Sequence, residues 1–141
     1  MPITYKDQHW IYYDGSKERH GQFPRDNSIG LATLRLDSFV CLEAKDKVGS
    51  VLTKPFRLEG SKLEVNVDAG KGGVIVEVLD AAGKPIPGFT RSEAKMFNFV
   101  DQLRLQPEWK TRKDLAPLKD KVVRLKFSLR NAKLYAFQVK P

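Results

Sequence analysis

The chain has 141 residues, of which 41% are hydrophobic and 30% charged, with a net charge of +8 at neutral pH. These values suit a folded chain with a substantial core and exclude a disordered or collagenous one. One cysteine rules out an intrachain disulfide, and no apolar run approaches the roughly 18 residues of a membrane-crossing helix, so no membrane span is expected.

The start, Met1 to Lys6, lacks the basic-then-apolar layout of a secretory signal, so the chain is expected to be cytosolic or a mature or excised piece of something exported. Trp10-Ile-Tyr-Tyr13 reads as a short aromatic strand. A Gly- and charge-rich loop follows from Asp14 to Gly21, and Ile29 to Leu36 makes a second strand. These form a strand–loop–strand unit over residues 1–35, ahead of a main domain over 36–141. Ser38–Ala44 and Val51–Leu58 are further strands, the second interrupted at Pro55. Cys41, between Val40 and Leu42, reads as a small buried hydrophobe.

Leu63-Glu-Val-Asn-Val67 alternates, placing Glu64 and Asn66 outward. Ala69-Gly-Lys-Gly-Gly73 then reads as a tight connection. Val74 to Leu79 is more continuously apolar, broken only by Glu77, as in a central strand partly covered on both faces, and Asp80 to Ile86 reads as strand, turn, strand bending at Gly83. Ser92–Val100 and Asp114–Leu118 are each assigned a short helical turn, and Gln106–Leu118 is the least regular stretch.

The clearest alternation is Val123 to Arg130, with Val123, Leu125, Phe127 and Leu129 on one side and Arg124, Lys126, Ser128 and Arg130 on the other. Asn131 links it to Leu134–Val139, which places Tyr135, Phe137 and Val139 together. Short strands separated by turn residues every eight to twelve positions predict an all-β chain: an antiparallel β-sandwich, jelly-roll-like, preceded by the strand–loop–strand unit.

Residues 101–141 hold eleven Lys/Arg against four Asp/Glu, so nearly the whole positive excess lies in the last third. Such a surplus attracts polyanions. Trp109, Phe89 and Tyr135 are the candidate stacking aromatics, with Arg124, Lys126 and Arg130 as donors along one strand face. A glycan is the expected ligand, with the basic strand as its natural contact if it is acidic or sulfated, and a nucleic acid or other polyanion is the alternative. The same aromatics equally suit a core. No catalytic residue stands out: the acids Asp14, Glu18, Glu64, Asp68 and Asp80 show no spacing that selects the pair a glycosidase needs. His9 and His20 lack a tight metal-ligand spacing, and no metal ligand is assigned. A structural calcium near Asp68 is left open, without a dense oxygen cluster to argue for it.

The N-terminal unit, with Tyr12-Tyr13, His20-Gly21 and Ile29-Gly-Leu-Ala-Thr33, resembles the last blade of five-bladed β-propeller glycoside hydrolases of the arabinanase- and invertase-like group. Leu52-Thr-Lys-Pro-Phe56, Leu63 to Ala69, Val78 to Ile86, Val123 to Phe127 and Asn131 to Phe137 resemble the β-sandwich that follows such propellers in bacterial proteins. The resemblance implies an ancillary module, structural or glycan-binding, without the propeller's catalytic carboxylates. It also implies an extracytoplasmic setting and a propeller hydrolase as partner. The apolar run Trp10–Tyr13 is a further expected contact, pairing residues 9–13 with a twin in a homodimer.

Overall fold

The computed structural model describes residues 2–141, which divide into two compact units, Met1–Phe39 and Val40–Pro141. Every helical segment among them is shorter than one α-turn: only a 3-10 turn at Ala116–Leu118 is present, and the chain is all-β with antiparallel pairing throughout.

The first unit is a three-stranded sheet of β1 (Ile3–Tyr5), β2 (Gln8–Ser16) and β3 (Asn27–Arg35), in that order. Lys6 and Asp7, with φ of 46° and 60°, make the two-residue turn that joins β1 to β2. Two positive φ values in succession match the twist of the flanking strands. Residues 8–10 therefore lie between β1 and β3, while Ile11–Tyr13 pair with β3 alone among the described residues. His9 and Trp10 of the run expected to meet a twin are enclosed between two strands of their own sheet, and Ile11–Tyr13 are paired on one side.

The second unit is built from β4 (Leu42–Ala44), β5 (Gly49–Leu52), β6 (Phe56–Arg57), β7 (Lys62–Asp80), β8 (Phe97–Leu105), β9 (Val122–Arg130) and β10 (Ala132–Lys140). Ala69–Gly73 is not a tight connection. Strand β7 runs straight through it for 19 residues. Its first half pairs with β10 and its second with β9, and β9 and β10 follow each other along β7 as one interrupted ribbon, not a hairpin. In the same way β4, β5 and β6 pair in turn with β10 and β9.

The inward side of β7 changes parity at the interruption. Leu63, Val65, Val67 and Ala69 are buried before it; Val74, Val76 and Val78 are buried after it, in the same core cluster. Beside them, Val123, Leu125, Phe127 and Leu129 give way to Ala132 and Leu134 across Asn131, whose φ is 44°. Extra residues in a strand shift the pleat in this way and bend it, so one sheet folds over its own core as a sandwich does. Gly72 is required at the bend: a Cβ there would run into the Arg130 carbonyl.

Ser92–Val100 does not form a helical turn over its length. Phe97 onward is strand β8, paired with β7 and irregular between Asn98 and Val100, where Phe99 has a φ of 55°. Trp109, Leu115 and Leu118 from the irregular 106–118 segment complete the core.

Candidate functional site

Phe89 and Trp109 are 2% and 4% exposed, pack edge to face with ring centroids 5.0 Å apart, and belong to the core. The Trp109 indole N–H donates to the Val76 carbonyl at 3.0 Å, which fixes the ring and satisfies its polar edge. Neither ring is available to stack on a sugar, which corrects their assignment as ligand platforms. Tyr135 is half-buried in a separate apolar cleft of about 420 Å³ with Val40, Leu42, Val51, Phe127 and Phe137. Cys41 lines that cleft and is exposed, not buried as its apolar neighbours suggested, because the strand begins only at Leu42.

The basic row of β9 keeps its predicted side of the strand but does not stand free. Lys126 lies 3.5 Å from the Glu77 carboxylate, whose side chain is only 5% exposed, and Arg91 approaches the same oxygen at 3.8 Å. A buried carboxylate needs such cations, so Lys126 serves the fold. Arg124 is half-buried, opposite Leu79, with its Nε shielded from solvent. Glu64 and Asn66 face away from Val65, as expected, yet both are buried. The Glu64 carboxylate accepts from Lys140 Nζ at 2.9 Å and Gln138 Nε2 at 2.8 Å. The hydrogen bond from Lys140, above all, holds its carboxyl below the ordinary range.

Of the six predicted ligand residues, only Arg130 lines a groove that combines cations with exposed apolar side chains. This groove, of about 380 Å³, lies along the bend of the sheet. Its floor is Ile75, Gly72 and Gly73; its apolar walls are Val48, Met96 and Phe99; and its polar lining is Lys71, Arg91, Arg130, Asn98, Ser128 and Asn131. No carboxylate lines it. Phe99 is 78% exposed and Met96 53%, unusual for such side chains beside a formed core.

Each wall has a local cause. Arg91 rides on a turn stapled by Glu93, whose carboxylate accepts from the Thr90 hydroxyl at 2.7 Å and from the amides of Gly88 and Thr90. Those Thr90 hydrogen bonds, with that from Gly88, keep the Glu93 carboxyl below its usual range. Arg91 in turn donates to Ser128 Oγ at 2.8 Å, holding its guanidinium at the groove. Phe99 is thrown outward because one residue of β8 spans Gly70–Gly72 of β7. A bulky residue at positive φ is strained and persists only where its surroundings force it.

A second hollow of about 600 Å³ lies across Lys71 and Asn131, with Lys45 and Lys133 but also Glu43 and Asp68. Asp68 is occupied locally, accepting from the Gly70 amide at 3.0 Å. Among the described residues no three His, Cys, Asp or Glu side chains converge as a metal site would need. Lys71, Arg91, Met96, Asn98 and Phe99 were not singled out by sequence, since nothing in their spacing reveals that a bulge gathers them. Comparison with protein-family models, curated proteins and solved structures finds no match to this chain.

Proposed function

We propose that the chain is a non-catalytic binding module of a carbohydrate-active protein and that the groove at the bend takes an acidic glycan. One observation carries this reading: the exposed, strained Phe99 stands beside Arg91, Arg130 and Lys71 in a hollow without a single carboxylate. Guanidinium forks pair with carboxylate or sulfate through two parallel hydrogen bonds. The apolar face of a sugar ring then lies on Phe99, while Asn98 and Asn131 meet hydroxyls. The likeness of the N-terminal strands to a propeller blade supports a carbohydrate-active parent, with a propeller hydrolase as the module's neighbour.

The test is titration of the full chain with uronic-acid oligosaccharides, their neutral counterparts and a single-stranded oligonucleotide, each at low and high salt. The acidic sugar binds, weakens as salt rises, and is lost in Arg130→Glu; Phe99→Ala weakens it without lowering thermal stability. The neutral sugar does not bind. Preference for the oligonucleotide, or acidic-sugar binding indifferent to Arg130→Glu, overturns the proposal. One exposed aromatic in place of an interleaved row argues against the nucleic acid.

A further inference from the structure

The second hollow adjoins the groove on the same outward face of the bent sheet. Before the bend that face carries Asp68 and Lys133, which pair across β7 and β10 while their neighbours Val67 and Leu134 enter the core. After it the face carries Ile75, Ser128 and Arg130, alternating with Val74 and Leu129 of the core. Lys71 and Asn131 line both hollows, so one rim joins them. The Asn131 amide also donates to the Lys45 carbonyl at 2.9 Å. That bond ties the β4–β5 loop across the junction, and the loop supplies Lys45 to one hollow and Val48 to the other.

Charge changes across that rim. The groove holds Lys71, Arg91 and Arg130 without a carboxylate. Beyond the shared Lys71, the second hollow sets Lys45 and Lys133 against Glu43 and Asp68, and the charges cancel. Glu43 and Asp68 flank Lys133 in register on β4 and β7. Among the described residues, however, none of these four side chains forms an ion pair. Donors and acceptors in balance suit hydroxyl and amide groups. An anion there would meet the like charges of Glu43 and Asp68, which costs affinity. We propose that the two hollows are consecutive subsites for one glycan of alternating acidic and neutral sugars, the acidic ring in the groove and the neutral ring beside it. This rests on the reading of the groove as an acidic-glycan site and narrows its ligand: a polymer charged at every ring is the poorer one.

The experiment is calorimetric titration of the full chain with a hyaluronan tetrasaccharide, which alternates uronate and N-acetylhexosamine, and with tetragalacturonate, which is charged at every ring. Both are measured at the same ionic strength. The alternating sugar is expected to bind about tenfold more tightly despite its lower charge. Glu43→Lys makes the second hollow cationic, strengthens tetragalacturonate and narrows the preference. Because the two ligands are first compared on the unaltered chain, a variant that fails to fold does not blunt the test. Equal affinities, a preference for tetragalacturonate, or a preference untouched by a folded Glu43→Lys overturns the proposal. If both sugars are still lost in Arg130→Glu, the groove reading survives that result. Binding of neither sugar overturns both.

Discussion

The two units use the same local grammar and reach opposite outcomes. In Met1–Phe39 the strands alternate, the hairpin turn has the right backbone, and yet no described side chain is buried. In Val40–Pro141 similar alternation produces a closed core with Val65, Val78, Leu125 and Phe127 fully out of solvent. The difference is the bend. The three-stranded sheet buries none of its described side chains, whereas β7 and the β9–β10 ribbon change parity halfway and close over their own apolar face. Strand pattern makes a sheet; the interruption makes a core.

Core truncation gives the largest contrast. Phe127→Ala leaves a cavity where a fully buried ring stood and is expected to destabilise by about 3–5 kcal/mol. Tyr12→Ala, at a ring 55% exposed, is expected to cost less than about 1 kcal/mol. Chemical denaturation of each variant checks both, and equal losses would break the comparison. Next come the glycines. In Gly72→Ala the new methyl meets the Arg130 carbonyl, a backbone atom held by the bend, for a loss of about 2–3 kcal/mol. In Gly30→Ala it meets the ring of Tyr13, which is free to swing into solvent, and the cost stays below about 1 kcal/mol. Thermal melts of the pair measure it.

Glu64 supplies a pH dependence of its own. Its carboxyl titrates lower in the folded chain than in the unfolded one, so its contribution is present above the ordinary carboxylate pKa and fades as pH falls through the folded value. Glu64→Gln is expected to lose about 1–2 kcal/mol at neutral pH, the scale of a charge-assisted hydrogen bond. The gap to the parent chain then narrows as the solution is acidified. Urea midpoints across that range test it, and a gap that widens in acid would contradict the assignment.

Much of this was legible in the sequence. The alternation from Val123 to Arg130 assigns all four core side chains of β9 correctly, and Gly83, with a φ of 88°, marks the turn that joins Asp80 to the bridge at Pro85. What sequence hid was bulges. Phe97, Val100 and Leu103 turn partly inward at intervals of three, a spacing that imitates a helix, because the irregular register of β8 breaks the period of two. Gly70–Gly73 imitates a turn because bends and turns ask for the same residue. The groove lies where these two disguises meet, so its residues were the least visible. Trp109 and Phe89 drew attention for their chemistry, yet aromatics of that size more commonly fill a core.

Phe99 and the Lys6–Asp7 pair sharpen the contrast at the smallest scale. All three have positive φ, but Lys6 and Asp7 sit in a hairpin turn that calls for it, and Asp tolerates that region well. Asp7→Gly therefore gains at most a few tenths of a kcal/mol. A left-handed backbone costs a residue with a Cβ about 1–2 kcal/mol, while glycine forfeits about 0.5–1 kcal/mol in chain entropy. Since Phe99 contributes little packing at 78% exposure, Phe99→Gly is expected to stabilise the chain by about 0.5–1 kcal/mol while weakening the acidic sugar. Calorimetry with and without ligand measures both on one sample. A gain in stability with binding intact would mean that the strain at Phe99 merely accompanies the bend and that the ring has no part in recognition.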